Sequence, residues 1–145
     1  MITNGNYSIS TDKSKLDVDY IHSVLSKMYW SENIPRETVQ RCIDGSFCFA
    51  VYDGEKQIGF ARVITDLTTF GYLADVFIDE SYRGKGLGKW LVQTILEHSD
   101  MQGFRRWLLA TRDAHSLYAG FGFTELKNPE RFMQIHNPAI YKQSC

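Results

Sequence analysis

The sequence predicts an α/β fold, in which a mixed α+β sheet carries helices on both faces. The predicted elements follow in the order strand, two helices, three-strand meander, helix, strand, helix and two strands. The apolar run Tyr72–Ile78 is typical of a central strand that is covered on both faces. No repeat, low-complexity segment or linker divides the chain, so we expect one domain over residues 7–145.

The N-terminal part predicts one strand followed by two helices. Tyr7–Thr11 is the candidate strand. Asp17 is a suitable N-cap for a helix whose inward face is formed by Val18, Ile21, Leu25 and Met28. Pro35 suits the first turn of the second helix, because proline lacks an N–H group that would be unpaired there. That helix is expected to end at Gly45 and to face inward with Val39, Cys42 and Ile43.

The central part predicts a meander. The β-rich runs Phe47–Tyr52 and Gln57–Thr65 are joined by a turn that contains Asp53 and Gly54. An Asp-Gly pair between two such runs is a strong hairpin signal. Tyr72–Ile78 then supplies the third strand of the meander.

The C-terminal part predicts two helices and three strands. Apolar residues at helical spacing indicate a helix over Gly88–His98, and Trp107–Ala110 indicates a buried strand. A short helix is expected to begin near Ala114 and to end at Gly122, which tolerates the left-handed conformation. The segments Phe123–Leu126 and Phe132–His136 are expected to form a closing strand pair.

Composition excludes several classes of function. Lys plus Arg number 16 against 17 Asp plus Glu, which gives a net charge of −1, so we expect no nucleic-acid partner. The cysteines Cys42, Cys48 and Cys145 form no CxxC pair, and neither they nor the histidines show a metal-ligand spacing. Because Met1–Ser10 is polar and no apolar run is long enough to span a bilayer, we expect a cytoplasmic protein with no membrane partner.

A glycine-rich loop, Arg83–Gly88, follows the central strand and opens directly into a helix. The first N–H groups of a helix are unpaired, and glycines let a phosphate approach them closely. The P-loop pattern is excluded because Trp90 follows Lys89, and the dinucleotide pattern is excluded because Lys89 stands at its last glycine position. On its own, the loop is either a phosphate site or a turn without a ligand.

Two segments resemble the signatures of one enzyme family. Arg83-x-x-Gly86-x-Gly88 resembles the [Q/R]xxGx[G/A] signature of GNAT acyltransferases, and Ala114–Phe123 resembles the AxxLYxxxGF segment of the same family. The run Trp107–His115 is similar to a largely unassigned bacterial branch of that family. The resemblance implies the acyl-CoA N-acyltransferase fold, with a central and mostly antiparallel sheet.

The resemblance also implies an activity. We expect an acetyl-CoA-dependent N-acetyltransferase that moves an acetyl group directly to the primary amine of a small molecule or amino-acid-like substrate. Acetylation of a protein or peptide, and acyl-CoA binding without turnover, are the alternatives. The positions that match the family's cofactor contacts are Val76, Phe77, Ile78, Arg83, Gly84, Lys85, Gly86, Leu87, Gly88, Lys89, Thr111, His115 and Tyr118. Thr111 stands where the family often has Asn, and a hydroxyl replaces only part of the hydrogen bonding of an amide.

The same resemblance assigns candidate catalytic residues. Tyr118 matches the general acid that protonates the leaving thiolate, although an aromatic filling the helix–sheet interface is the alternative. Val76–Ile78 matches the strand segment whose backbone N–H stabilises the oxyanion. Asp75 is a candidate base, or else a structural carboxylate that holds a neighbouring backbone or Arg group. His115 is a second candidate base.

The acceptor is expected to bind among the first helices and the third and fourth strands. The candidates there are Tyr29, Trp30, Arg62, Asp66, Phe70 and Tyr72. Aromatic walls with Asp66 and Asp75 suit a cationic amine, whereas Arg62 can instead hold a carboxylate. Tyr29 and Trp30 can also simply cover the core. By analogy with the family, Phe132–His136 is available for pairing in a homodimer.

Overall fold

The computed structural model describes residues 1–142 and has a six-stranded sheet in which the strands lie in chain order. The first four pairings are antiparallel, and only β5 and β6 are parallel. The strands are β1 Ile2–Asn4, β2 Tyr7–Ser10, β3 Phe47–Asp53, β4 Lys56–Thr65, β5 Phe70–Ile78 and β6 Arg106–Leu108. The α-helices are α1 Val18–Leu25, α2 Arg36–Asp44, α3 Leu87–Glu97 and α4 His115–Ala119. The predicted fold class is therefore confirmed. Cys145, and with it the last part of the predicted 7–145 domain, lies outside the described residues.

Helices cover both faces of the sheet. On one face α3 packs its apolar side, including Leu91 and Ile95, against the side chains of β3 and β4 such as Phe49 and Val63. On the other face α1 and α2 enclose a second cluster with Ile21, Leu25, Val39, Ile43, Cys48, Phe60 and Phe77. Burial of this apolar surface on both faces is the main force that holds the sheet between its helices.

The sequence signals for α1, α2 and the hairpin have the expected structural basis. The Asp17 side chain accepts a hydrogen bond from the Tyr20 backbone N–H, which caps α1. Pro35 lies immediately before α2 as its N-cap, and Gly45 follows the helix as its C-cap. Gly54 has φ +59° in the turn between β3 and β4, a conformation that L side chains rarely adopt.

The pairing of β5 changes along its length, and this change creates the site. Phe70–Tyr72 pairs with Arg106–Leu108 of β6, but the described residues give β5 no neighbouring strand on that side from Leu73 onward. Because the two strands are parallel, the chain after β6 (109–114) leaves in the same direction as the second half of β5. We call this separation of β5 from the segment 109–114 the fork.

The predictions for the C-terminal third need correction. The strand predicted over Trp107–Ala110 is β6, Arg106–Leu108, and it is not buried: Trp107 and Leu108 are only half-buried, and Ala110 is exposed. α4 ends at Ala119 with Gly120 as its C-cap, although Gly122 does have φ +96°. In addition, the short strand β1 was not predicted.

The predicted closing strand pair over Phe123–Leu126 and Phe132–His136 is absent from the described residues. A 3₁₀ turn at Pro129–Arg131 interrupts this part of the chain, and the side chain of Arg106 stacks on Phe132 at 4.8 Å. A three-residue β6 offers only a short edge for further pairing, so an apolar pattern alone does not produce a strand here.

In residues 1–142 no helix has the length and apolar composition needed to cross a membrane.

Candidate active site

The glycine-rich loop Arg83–Gly88 connects the end of β5 to the start of α3 through a 3₁₀ turn at Glu80–Tyr82. Gly84 and Gly86 have φ +81° and +77°, so the loop requires residues that adopt the left-handed region without strain. Gly86 is the N-cap of α3 and accepts the first helical hydrogen bond, from the Trp90 N–H. The sequence prediction of a glycine turn that opens into a helix is confirmed.

The loop has the properties of an anion site. Within the described residues, the backbone N–H groups from Gly84 to Lys89 donate to no other protein group. A Cβ atom on Gly84 or Gly86 would meet no atom within 4 Å, so both positions face open space. Unpaired N–H groups at a helix N-terminus stabilise negative charge. The residues present therefore fit the pyrophosphate of a coenzyme A thioester.

Fixed positive charge surrounds the same loop. The side chains of Arg83, Lys85 and Lys89 are exposed, and within residues 1–142 none lies within 4.0 Å of a carboxylate. The Lys85 Nζ lies 5.4 Å from the centre of the Tyr82 ring, whose hydroxyl donates to Asp53. These cations add to the electrostatic attraction for a phosphate group.

The predicted oxyanion segment Val76–Ile78 lies along the fork, directly before the glycine-rich loop. One edge of this segment pairs with β4, and the described chain has no strand on the other. Any backbone N–H that points away from β4 here is free to donate to a bound carbonyl group.

Tyr118 lies on α4 with its ring in the core beside Phe123, at a centroid distance of 5.9 Å. Its side chain is 8% exposed, and burial raises the pKa of the phenol. The phenol is therefore protonated at neutral pH and has a proton available to donate.

Asp75 lies at the start of the fork and is held by two N–H donors. One carboxylate oxygen accepts from the Arg62 Nε at 2.5 Å, and the other accepts from the Trp30 Nε1 at 2.8 Å. The side chains of Arg62 and Asp75 are only 16% and 9% exposed. The Arg62 guanidinium also donates to the Ser46 hydroxyl at 3.1 Å. We call Asp75, Arg62 and Trp30 the Asp75 cluster.

Tyr29 connects the Asp75 cluster to the other side of the fork. Its ring packs edge-on against Trp30 at 5.0 Å, and its hydroxyl accepts a hydrogen bond from the Arg112 N–H at 3.1 Å. The Arg112 guanidinium lies over the same ring at 3.9 Å. Tyr29 and Trp30 are 48% and 43% exposed, so they form a rim rather than part of the core.

The remaining predicted residues lie in different places. Asp66 forms the turn between β4 and β5, where hydrogen bonds from the Thr69 hydroxyl and from nearby backbone N–H groups hold its pKa far below the usual range. Phe70 and Tyr72 lie in the part of β5 that still pairs with β6, before the fork begins. The Thr111 hydroxyl accepts from the Ala114 N–H, and His115 is exposed at the start of α4.

The geometry brings together only some of the predicted acceptor residues. Tyr29, Trp30 and Arg62 meet around Asp75, whereas Asp66 belongs to a distant turn. The sequence does not identify Arg112 as a site residue, although it lies between the predicted contacts Thr111 and His115. Its contact with Tyr29 arises only in the folded chain.

Comparison with known proteins gives a family. A model of the acetyltransferase (GNAT) family matches residues 17–123. The chain belongs to the GNAT acetyltransferase family. It is 33% identical to a candidate acetyltransferase of Gibberella zeae over 139 aligned residues, which cover 80% of this chain and 77% of the relative.

Solved GNAT structures confirm the fold. A candidate acetyltransferase of the GNAT family from Xanthomonas campestris pv. campestris is 45% identical to this chain, with a TM-score of 0.93. The superposition covers 94% of this chain and 97% of that one. Glucosamine-6-phosphate N-acetyltransferase from Arabidopsis thaliana is 18% identical, with a TM-score of 0.64. The superposition covers 90% of this chain and 97% of that one, and this similarity concerns the fold alone. In this GNAT chain, the two signature segments lie on the loop before α3 and on α4, and the fork lies between them.

Proposed function

We propose that this GNAT protein is an acetyl-CoA-dependent N-acetyltransferase that moves an acetyl group directly to a primary amine of a small molecule or amino-acid-like substrate. One observation carries the proposal: the free edge of β5 along the fork leads directly into a loop whose backbone N–H groups are unpaired. A thioester carbonyl and a pyrophosphate can therefore be held by one continuous stretch of backbone.

The glycine-rich loop binds the pyrophosphate in this proposal. The N–H groups from Gly84 to Lys89 donate to the phosphate oxygens, and the Arg83, Lys85 and Lys89 side chains add positive charge. When bound, acetyl-CoA supplies an acetyl thioester at the fork. A backbone N–H within Val76–Ile78 donates to the thioester oxygen and stabilises the negative charge that develops there.

Tyr118 supplies a proton to the leaving group. The neutral amine forms a bond to the carbonyl carbon, the carbon–sulfur bond breaks, and the sulfur leaves with the electron pair. The Tyr118 phenol donates its proton to that sulfur, and the proton lost by the amine passes to solvent or to a base. Because burial raises the pKa of Tyr118, the phenol holds this proton throughout the neutral range.

The rim of Tyr29 and Trp30 borders the acceptor side of the fork. Arg62 is already paired with the carboxylate of Asp75. It is therefore not the cation that would bind an acceptor carboxylate. Arg112 has no carboxylate within 4.0 Å in residues 1–142, and its guanidinium carbon lies 3.9 Å from the centre of the Tyr29 ring. A free guanidinium binds carboxylates well, which supports an amino-acid-like acceptor.

The test is an acceptor screen. The purified protein is incubated with acetyl-CoA and a panel of amino acids, simple amines and short peptides, while thiol release is recorded and products are identified by mass spectrometry. We expect an N-acetyl product with a small amine or an amino acid. Preferential acetylation of peptides would favour the protein-acetylating alternative. Tight acetyl-CoA binding without any product would favour a binding module.

We also propose that the protein is a homodimer. Met133 and Ile135 are 97% and 106% exposed, and the outer edge of β6 has no strand beside it in the described chain. Exposed apolar side chains and an open strand edge both support association with a second copy. We expect a dimer in analytical ultracentrifugation that Met133→Lys with Ile135→Lys dissociates. A monomeric wild-type protein would refute this.

A further inference from the structure

The backbone of Asp75 adopts a conformation that is rare for its position. It lies inside β5 with φ +55°, in the left-handed region that residues other than glycine seldom adopt. Asp and Asn tolerate this region better than other side chains. A strained backbone in the interior of a strand requires surrounding contacts that hold it there.

The strain coincides with a bulge in the sheet. Arg62 pairs with Ala74 and Phe60 pairs with Phe77, so Asp75 and Val76 together lie opposite the single residue between Phe60 and Arg62. An extra residue in one strand bends that strand and changes the direction in which the following backbone groups point. The bulge therefore affects the direction of the backbone N–H groups of Val76–Ile78 at the fork.

The Asp75 side chain is anchored from two different elements. Arg62 reaches it from β4, and Trp30 reaches it from the segment between α1 and α2. Ser46 fixes the guanidinium in turn, through its hydroxyl at 3.1 Å. Both carboxylate oxygens thus accept from N–H groups of the protein, in a site that is largely shielded from water. These contacts have the geometry of a clamp on the bulge.

We propose that Asp75 is a positioning residue, whose carboxylate, held by Arg62 and Trp30, fixes the bulge so that a backbone N–H of Val76–Ile78 points at the thioester oxygen. This inference rests on the proposed function, because it assigns a purpose to the oxyanion segment of that reaction. It decides between the two roles that the sequence left open for Asp75. The clamp accounts for the strain, the bulge and the buried ion pair together.

Three substitutions separate positioning from base catalysis. Asn keeps an oxygen acceptor and tolerates positive φ, but it cannot take up a proton as a carboxylate does. Gly adopts positive φ freely and has no anchor. Ala has neither the anchor nor the conformational tolerance. Positioning therefore predicts that activity falls in the order Asp75→Asn, Asp75→Gly, Asp75→Ala.

The expected magnitudes are distinct. Asp75→Asn should keep kcat within about tenfold of the wild type with an unchanged pH profile, since one N–H donor retains its partner. Asp75→Ala should lower kcat by about 100-fold or more, the usual effect of losing an oxyanion donor. The KM for acetyl-CoA should change by less than about threefold in all of them, because the pyrophosphate loop is separate. Trp30→Phe removes one donor and should lower kcat by an intermediate factor.

A readout that needs no substrate accompanies the kinetics. Hydrogen–deuterium exchange of the 74–78 backbone in the free protein should be at least about tenfold faster in Asp75→Ala and Asp75→Gly, and close to wild type in Asp75→Asn. Exchange in α3 serves as the internal control and should not change. Failure of wild-type protein to bind acetyl-CoA would sink the proposed function, while the exchange data would still decide whether the clamp holds the bulge.

Two results would overturn the inference. A loss of more than about 100-fold in Asp75→Asn, equal to that in Asp75→Ala and with loss of the acidic limb of the pH profile, would assign Asp75 as the base. Unchanged exchange at 74–78 in Asp75→Ala and Asp75→Gly would mean that the carboxylate does not hold the bulge.

Discussion

Substitution of Gly86 tests the glycine-rich loop most sharply. Gly86 has φ +77°, and an L side chain in this region costs about 1–2 kcal/mol. The loop is exposed, so in Gly86→Ala the free protein is expected to relax toward negative φ rather than unfold. Binding must then restore the strained conformation.

The magnitude follows from that cost. About 1–2 kcal/mol corresponds to acetyl-CoA affinity that is weaker by about 5- to 30-fold for Gly86→Ala. Gly86→Glu adds a negative charge and a longer side chain on the surface that receives the pyrophosphate. In residues 1–142, no atom beyond the two neighbouring residues lies within 4 Å of the added Cβ, so the effect comes from the ligand and the backbone rather than from a clash within the protein. We expect Gly86→Glu to abolish binding.

Isothermal titration calorimetry with acetyl-CoA is the assay, and Gly103 provides a matched control. Gly103 has φ +80° and equally open surroundings, but it lies in the loop before β6. Gly103→Ala should therefore carry a similar backbone strain and leave the affinity for acetyl-CoA unchanged. Wild-type affinity in Gly86→Glu, or equal losses in Gly86→Ala and Gly103→Ala, would refute the assignment of the loop.

Three further predictions concern other residues. Tyr118→Phe should lower kcat by about 100-fold or more and leave acetyl-CoA affinity unchanged, because only the proton is removed. Since burial raises the pKa of Tyr118, any alkaline limb that it causes should lie at higher pH than an ordinary tyrosine would give, and it should disappear in this variant. Wild-type turnover in Tyr118→Phe would refute the acid role. In steady-state assays, Arg112→Gln should raise the KM of carboxylate-bearing acceptors by about tenfold and leave the KM of simple amines unchanged. Equal changes in KM for the two classes of acceptor would contradict a carboxylate contact. Burial raises the pKa of the Cys48 thiol to about 11, so the thiol of the unfolded chain loses its proton at lower pH than that of the folded chain. The free energy of unfolding should therefore fall as the pH rises from about 9 to 11. Denaturant melts of Cys48→Ala should lack this contribution, and an identical pH dependence in that variant would exclude it.

The parts of the fold with strong local signals were predictable from the sequence. Asp17, Gly45 and the Asp53-Gly54 turn act through hydrogen bonds and backbone angles within a few residues, so their patterns determine local structure directly. The glycine-rich loop belongs to the same class. Its glycines and the helix that follows fix the conformation of the loop without any distant contact.

The parts that depend on distant contacts were not predictable. The closing strand pair failed because a strand needs a neighbouring edge, and the three residues of β6 provide little of one. The partners of Asp75 lie on elements far apart in sequence, namely Arg62 and Trp30. The bulge and the positive φ leave no mark in the residue pattern. Arg112 likewise gains its contact with Tyr29 only in the folded chain.

A crystal structure of the protein with acetyl-CoA would test the central claim most directly. We expect phosphate oxygens within hydrogen-bonding distance of the N–H groups between Gly84 and Lys89. We also expect the thioester oxygen to accept from a backbone N–H of Val76–Ile78, with the Tyr118 hydroxyl beside the sulfur. Acetyl-CoA bound with its phosphates away from the glycine-rich loop and its thioester away from Val76–Ile78 would contradict this assignment.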